Sequence, residues 1–165
     1  MRNRIIQVAA ALAFLVFAVA AQAAGVTTFS GAWFEIDAPA DFTVRPSLPS
    51  DSAEGFDSAF FSAPDGSVQF YVHSPQWGGD PTDIAIDPAT ETLSDEKVVT
   101  DGPITHRWFT IAAKDGSYSR SYRTVSDARG PTERTIGIRY RSIADLQAYN
   151  ARYLAFRDSL RQFAD

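Results

Sequence analysis

The side chains best equipped for chemistry are arginines interleaved with tyrosines. Arg120 and Arg123 stand on either side of Tyr122, just after Tyr118, and Arg134, Arg139 and Arg141 follow beside Tyr140. A guanidinium donates paired N–H groups that fit a carboxylate or a phosphate. If Arg123, Arg139 and Arg141 share one face of neighbouring strands, they form a site for a small anion or an anionic polymer. Spread over a solvated face, the same residues pair with acids elsewhere in the chain. Trp77 beside Gly78 and Gly79 is a second candidate. An aromatic on a loop suits a sugar, a peptide or a partner surface, or tucks beneath its own loop.

His73 and His106 are the only histidines. Either one could act as the base of a small hydrolase, and His106 could share a sheet face with Tyr71 and His73. The motifs that would sharpen such chemistry are missing. No HxH, HxxxH or HExxH spacing occurs, there is no cysteine, and no G-x-S-x-G elbow precedes a helix. Ser67 and Ser117 follow Asp-Gly pairs, where serine serves the turn itself. Asp80, Asp83 and Asp87 do not follow the spacing of a calcium loop, and Gly78-Gly79 is not followed by the Lys-Ser/Thr of a phosphate loop. Neither a metal nor a cofactor is expected.

Charge narrows the partners. The net charge is −5, and it becomes −7 once Arg2 and Arg4 are set aside with the leader described below. Such an acidic balance argues against nucleic acid and against adhesion to anionic lipid. The sum conceals a division, because residues 24–101 carry only Arg45 and Lys97 as bases, whereas arginines crowd residues 102–165. Two such halves can neutralise each other within one domain, or the second can present an anion-binding surface.

Residues 1–23 read as an address. Arg2 and Arg4 precede an apolar run from Ile5 to Ala20, and Ala21-Gln22-Ala23 offers small residues for cleavage. This is the layout of a bacterial Sec-type signal peptide, so a periplasmic or secreted location is expected. The remainder, with lead-in residues 24–31 and a body over 32–165, has the length of one domain, and no later stretch is long and apolar enough to span a membrane. Without disulfides, its stability must come from a core rich in the 13% of aromatic residues.

Alternation of apolar and polar residues predicts mainly strands. Phe34 and Ile36 face one way, and Phe42 to Arg45 forms a short strand. Asp57 to Ala63 and Val68 to Ser74 make a hairpin around Asp65-Gly66, with Val68, Phe70 and Val72 inward and Gln69, Tyr71 and His73 on the other face. A second hairpin joins Ile104–Ala113 to Tyr118–Ser126 across Asp115-Gly116. Thr90 to Thr100 reads as a charged edge strand, Ser74 to Pro88 as irregular, and Glu133 to Arg141 as a further strand. Ser142 with Asp145 caps a closing amphipathic helix, whose stripe runs Leu146, Tyr149, Tyr153, Phe156, Leu160 and Phe163.

This order of elements resembles the PsbP-like superfamily, named for an extrinsic oxygen-evolving subunit of photosystem II. The residues concerned are Phe34-Glu35-Ile36-Asp37-Ala38-Pro39 with Phe42, the Asp65-Gly66 hairpin, and Phe156-Arg157-Asp158-Ser159-Leu160. Phe42 stands where the superfamily commonly has tryptophan. The resemblance implies a sandwich-like α+β fold and a non-catalytic accessory or binding role. It transfers no catalytic residue, since the matched positions are core and turn positions. The expectation is therefore an antiparallel sheet of about six to eight strands covered by the C-terminal helix. The domain would bind an unidentified protein or small anionic ligand, with Arg120, Arg123, Arg139, Arg141, Tyr122, Trp77, His73 and His106 as candidate contacts. The alternatives are a periplasmic hydrolase using His73 or His106, and an envelope protein holding an anionic polymer on the arginine-rich face.

Overall fold

Alternation of burial is clearest over Phe34–Pro39 in the computed structural model, which describes residues 25–130 and 132–163. The signal-like segment 1–23 lies outside them. The strands are β1 (Val26–Ser30), β2 (Phe34–Pro39), β3 (Thr43–Pro46), β4 (Ser58–Ser62), β5 (Val68–His73), β6 (Glu91–Asp101), β7 (Ile104–Ala113), β8 (Ser119–Asp127) and β9 (Thr132–Tyr140). Helix α1 (Ile143–Asp158) and β10 (Arg161–Gln162) close the chain. Seven strands form one antiparallel sheet in the order β3-β4-β5-β9-β8-β7-β6. The other three form a small sheet, β1-β2-β10. Part of the stretch read as a lead-in is thus β1, hydrogen-bonded along β2.

Helix α1 and β2 cover one face of the large sheet. Phe34, Ile36 and Ala38 of β2 and Phe156 of α1 bury themselves against Phe61, Val68, Phe70, Val72, Ile136 and Ile138. Phe156 meets Phe61 and Phe70 with ring centroids 5.0 and 5.2 Å apart. Burying one such ring contributes roughly 1.5–3 kcal/mol. The opposite face is also closed. Phe60, Tyr71, Phe109, Ile111 and Tyr122 pack there with Ile84, which is brought in by the segment after β5. Tyr71 and His73 do face away from Val68, Phe70 and Val72, yet they are buried too.

Both anticipated hairpin turns form, and Asp101-Gly102 makes a third between β6 and β7. Gly66, Gly102 and Gly116 have φ of 66°, 55° and 74°, the left-handed region that glycine enters freely. In two of the turns the aspartate fixes the bend, because Asp65 Oδ1 accepts from Ser67 N and Asp115 Oδ1 accepts from Ser117 N, each at 2.9 Å.

The helix is shorter than its apolar stripe implies. Ser142 caps its start by accepting from Asp145 N at 3.1 Å, as expected. It ends at Asp158, not Phe163. Ser159 Oγ donates to Phe156 O at 2.8 Å and accepts Asp37 N at 2.9 Å, which ties the last turn to β2. The chain then extends so that Arg161 and Gln162 pair with Glu35 and Phe34. Backbone bonds to an open edge of β2 outweigh continuation of the helix to Phe163, which is left exposed.

Candidate functional site

Strand register decides which arginines meet. Arg123 lies opposite Ile136, Val125 opposite Arg134, and Arg120 opposite Arg139. Faces alternate along a strand. Arg123, Val125, Arg134 and Ile136 therefore share the helix side, and Arg120 and Arg139 share the other. The expected grouping of Arg123 with Arg139 and Arg141 does not occur. Arg141 lies past the end of β9, exposed and beside Gly66. Arg139 stacks on Tyr118, its guanidinium carbon 4.1 Å from the ring centre.

Arg120 is a structural residue. Its Nε and Nη2 donate to the Glu91 carboxylate at 2.8 and 2.6 Å, and Nη1 and Nη2 donate to Ile84 O and Ala85 O at 2.7 and 3.0 Å. The buried fork pins the segment between β5 and β6 onto the sheet. Those bonds from Arg120, assisted by Tyr118, hold the Glu91 carboxyl down at about 2 in spite of its burial. Tyr122 stacks with Phe109 at 5.2 Å and belongs to the core of that face. The anticipated acidic loop is occupied in the same way: Asp83 accepts from Tyr71 Oη and Ser58 Oγ, both at 2.6 Å, and Asp87 accepts from Thr90 Oγ1. No group of three metal-binding side chains occurs among the described residues.

The histidines lie on opposite faces. His73 is 3% exposed, sits opposite Ser58 and Thr135, and has an Nδ1 with no hydrogen-bond partner. Loss of hydration pushes its pKa down to about 4, so the ring is neutral. Ser58 gives its proton to Asp83, not to His73. His106 lies opposite Val125 on the helix side, not with Tyr71. Its Nδ1 is 3.2 Å from Arg123 Nη2, and its ring lies 5.5 Å from that of Trp108. Because Arg123 can only donate, Nδ1 accepts. Trp77 is half-exposed on the irregular segment and is not among the residues lining the cleft described next.

That cleft opens where α1, packed on β2, β5 and β9, ends short of β8. Its volume is about 290 Å³. Arg123 and Val125 of β8, Arg134 and Ile136 of β9, Arg157 and Asp158 of α1, and the following Leu160 and Gln162 line it. Arg157 Nε donates to Asp158 at 2.7 Å, and Arg134 Nη1 donates to Gln162 Oε1 at 2.7 Å. Arg123 is held by His106 and by Trp108, whose ring centre is 5.5 Å from the guanidinium carbon. Its Nε is buried and has no partner. Among the described residues no carboxylate pairs with either Arg123 or Arg134. Lost hydration and the neighbouring Arg123 charge both lower the pKa of Arg134. Asp158, the one carboxylate lining the cleft, is bonded to Arg157, so three guanidinium groups face a single acid, and a further anion relieves the excess positive charge.

Sequence reasoning reached Arg123 and His106 but not Arg134, Arg157 or Asp158 as their companions. The signal lay in the turn after Asp127, since pairing Asp127 with Thr132 sets the partner of every preceding residue of β8.

With the architecture in view, comparison with solved structures is decisive for the fold. The solution structure of cyanobacterial PsbP (CyanoP) from Synechocystis sp. PCC 6803 matches 87% of this chain and 96% of its own, with a TM-score of 0.51 and 7% sequence identity. This chain has a PsbP-like fold. No protein-family model matches it, and no curated protein does. At that identity the likeness speaks for the PsbP-like architecture alone, so the cleft must be judged on its own residues. No helix among the described residues is long and apolar enough to cross a membrane.

Proposed function

We propose that this protein is an exported, non-catalytic accessory module that holds an anionic group in the cleft between β8, β9 and the end of α1. The observation that carries the reading is that Arg123 and Arg134 line one cleft and, among the described residues, neither is within ion-pair distance of a carboxylate. Neighbouring guanidinium groups repel each other, and an anion bound between them relieves that repulsion. Arg157 adds a third guanidinium, already balanced by Asp158. The leader-like residues 1–23 support export. The accessory role implied by the PsbP-like resemblance agrees with a site that has donors but no nucleophile paired with a base.

Calorimetric titration with inorganic phosphate in low-salt buffer tests this. The protein binds with an affinity that falls as salt rises, because the attraction is between charges. Arg123→Gln, which keeps polarity but removes the fork, weakens binding at least tenfold, about 1.4 kcal/mol. Equal binding by the variant contradicts the proposal.

A further inference from the structure

The cleft has a charged rim and an apolar floor, and the two together define the ligand more narrowly than charge alone. Val125, Ile136 and Leu160 supply the floor. Val125 and Leu160 remain partly exposed although they are aliphatic, whereas Ile136 is 6% exposed and continues into the main core. Arg123 and Arg134 supply the cationic side. Among the described residues Arg123 bonds only through Nη2, with His106, and Arg134 only through Nη1, to Gln162, which leaves the other terminal nitrogen of each without a protein partner. Arg157 and Asp158 cancel each other and lie at the helix end of the same opening.

Resting on the anion-site reading above, we infer that the natural ligand is a small organic monocarboxylate whose ring or branched aliphatic body lies on Val125, Ile136 and Leu160 while its carboxylate takes the free donors of Arg123 and Arg134. Inorganic phosphate or a bare acetate satisfies the donors but leaves the floor wet. A planar carboxylate accepts two roughly parallel N–H bonds, and guanidinium geometry favours that arrangement. The volume of about 290 Å³ is at the lower edge of small-molecule sites, which begin near 300 Å³. That size suits one ring with its acid group. Asp158 selects against a second negative charge, because a dianion long enough to reach the helix end meets that carboxylate there. Its carboxyl already titrates below the ordinary range, chiefly through its hydrogen bond with Arg157, so it stays ionised.

The test compares sodium benzoate, sodium acetate and inorganic phosphate in calorimetric titrations of the same protein at one low salt concentration. Benzoate binds roughly tenfold or more tightly than acetate, the worth of covering a modest apolar area. Val125→Thr, a change of similar shape at a partly exposed position, removes most of the benzoate advantage over acetate. Arg123→Gln weakens both acids. Equal affinity for benzoate and acetate, or preference for phosphate, overturns the inference while the anion site stands. If none of the three binds, the anion site itself is overturned. A benzoate advantage that survives in Val125→Thr also contradicts the placement of its ring on this floor.

Discussion

Single residues in this protein show how burial redirects groups that look reactive in the sequence. His73 has the type expected of a general base, but it lies 3% exposed between strands, and desolvation brings its pKa down to about 4. Its ordinary value is near 6.5, so the unfolded chain takes up a proton that the folded chain refuses between those two pH values. Stability is therefore complete above about pH 6.5 and declines as pH falls toward about 4, by an amount on the order of 3 kcal/mol. Urea denaturation of the protein and of His73→Phe at a series of pH values checks this. The variant loses the slope in that window. Equal slopes contradict the assignment. Arg123 is the opposite case. Held by His106 and Trp108 with a donor left over, it keeps its capacity for a ligand where Arg120 has used up its own on Glu91, Ile84 and Ala85.

Among the elements, the segment between β5 and β6 shows what the buried fork of Arg120 accomplishes. It has little regular structure apart from a single 3-10 turn at Thr82–Ile84, yet Ile84 is 5% exposed and closes the face opposite the helix. Replacing Arg120 by Met strands Glu91 without its partner in a buried setting, and the expected loss is about 3–5 kcal/mol by chemical denaturation. The double variant Glu91→Leu with Arg120→Met recovers most of that loss, since neither charge is then left alone. A double variant no better than the single one contradicts this account. The sheet strands, their hairpins and the helix start were legible in the sequence, because alternation and Asp-Gly pairs are local signals. Phe34 and Ile36 of β2 and the turns at Gly66 and Gly116 are examples. What was not legible depended on distant partners. β1 reads as a lead-in until β2 offers it an edge, and Leu160 and Phe163 continue a helical stripe until pairing of Arg161 with Glu35 takes the chain away from the helix. The face shared by Arg123 and Arg134 required the register of β8 with β9. Without that register, Arg139 and Arg141 are as eligible as Arg134 to share a face with Arg123, and the pairing of Arg123 with Ile136 decides for Arg134.

For the whole molecule, the division of charge along the chain turns out to be spatially mixed. Acids of the first half reach arginines of the second, as in Glu91 with Arg120, Glu96 with Arg107, Asp41 with Arg152, and Glu35 and Asp37 with Arg161. Within an acidic chain, the cleft at the end of α1 keeps Arg123 and Arg134 outside that exchange. The fold accounts for this opening. Helix α1 stops at Asp158 so that β10 can join β2, and the helix-side face over β8 and the start of β9 is left accessible. The most direct test of the anion site follows the guanidinium N–H signals of Arg123 by nuclear magnetic resonance, assigned with Arg123→Gln, while sodium benzoate is added. A saturable shift of those signals, with Arg134 moving in parallel and Arg120 unmoved, is the predicted result. An Arg123 signal that stays in place while the ligand binds elsewhere, or that moves no more than that of buried Arg120, contradicts it.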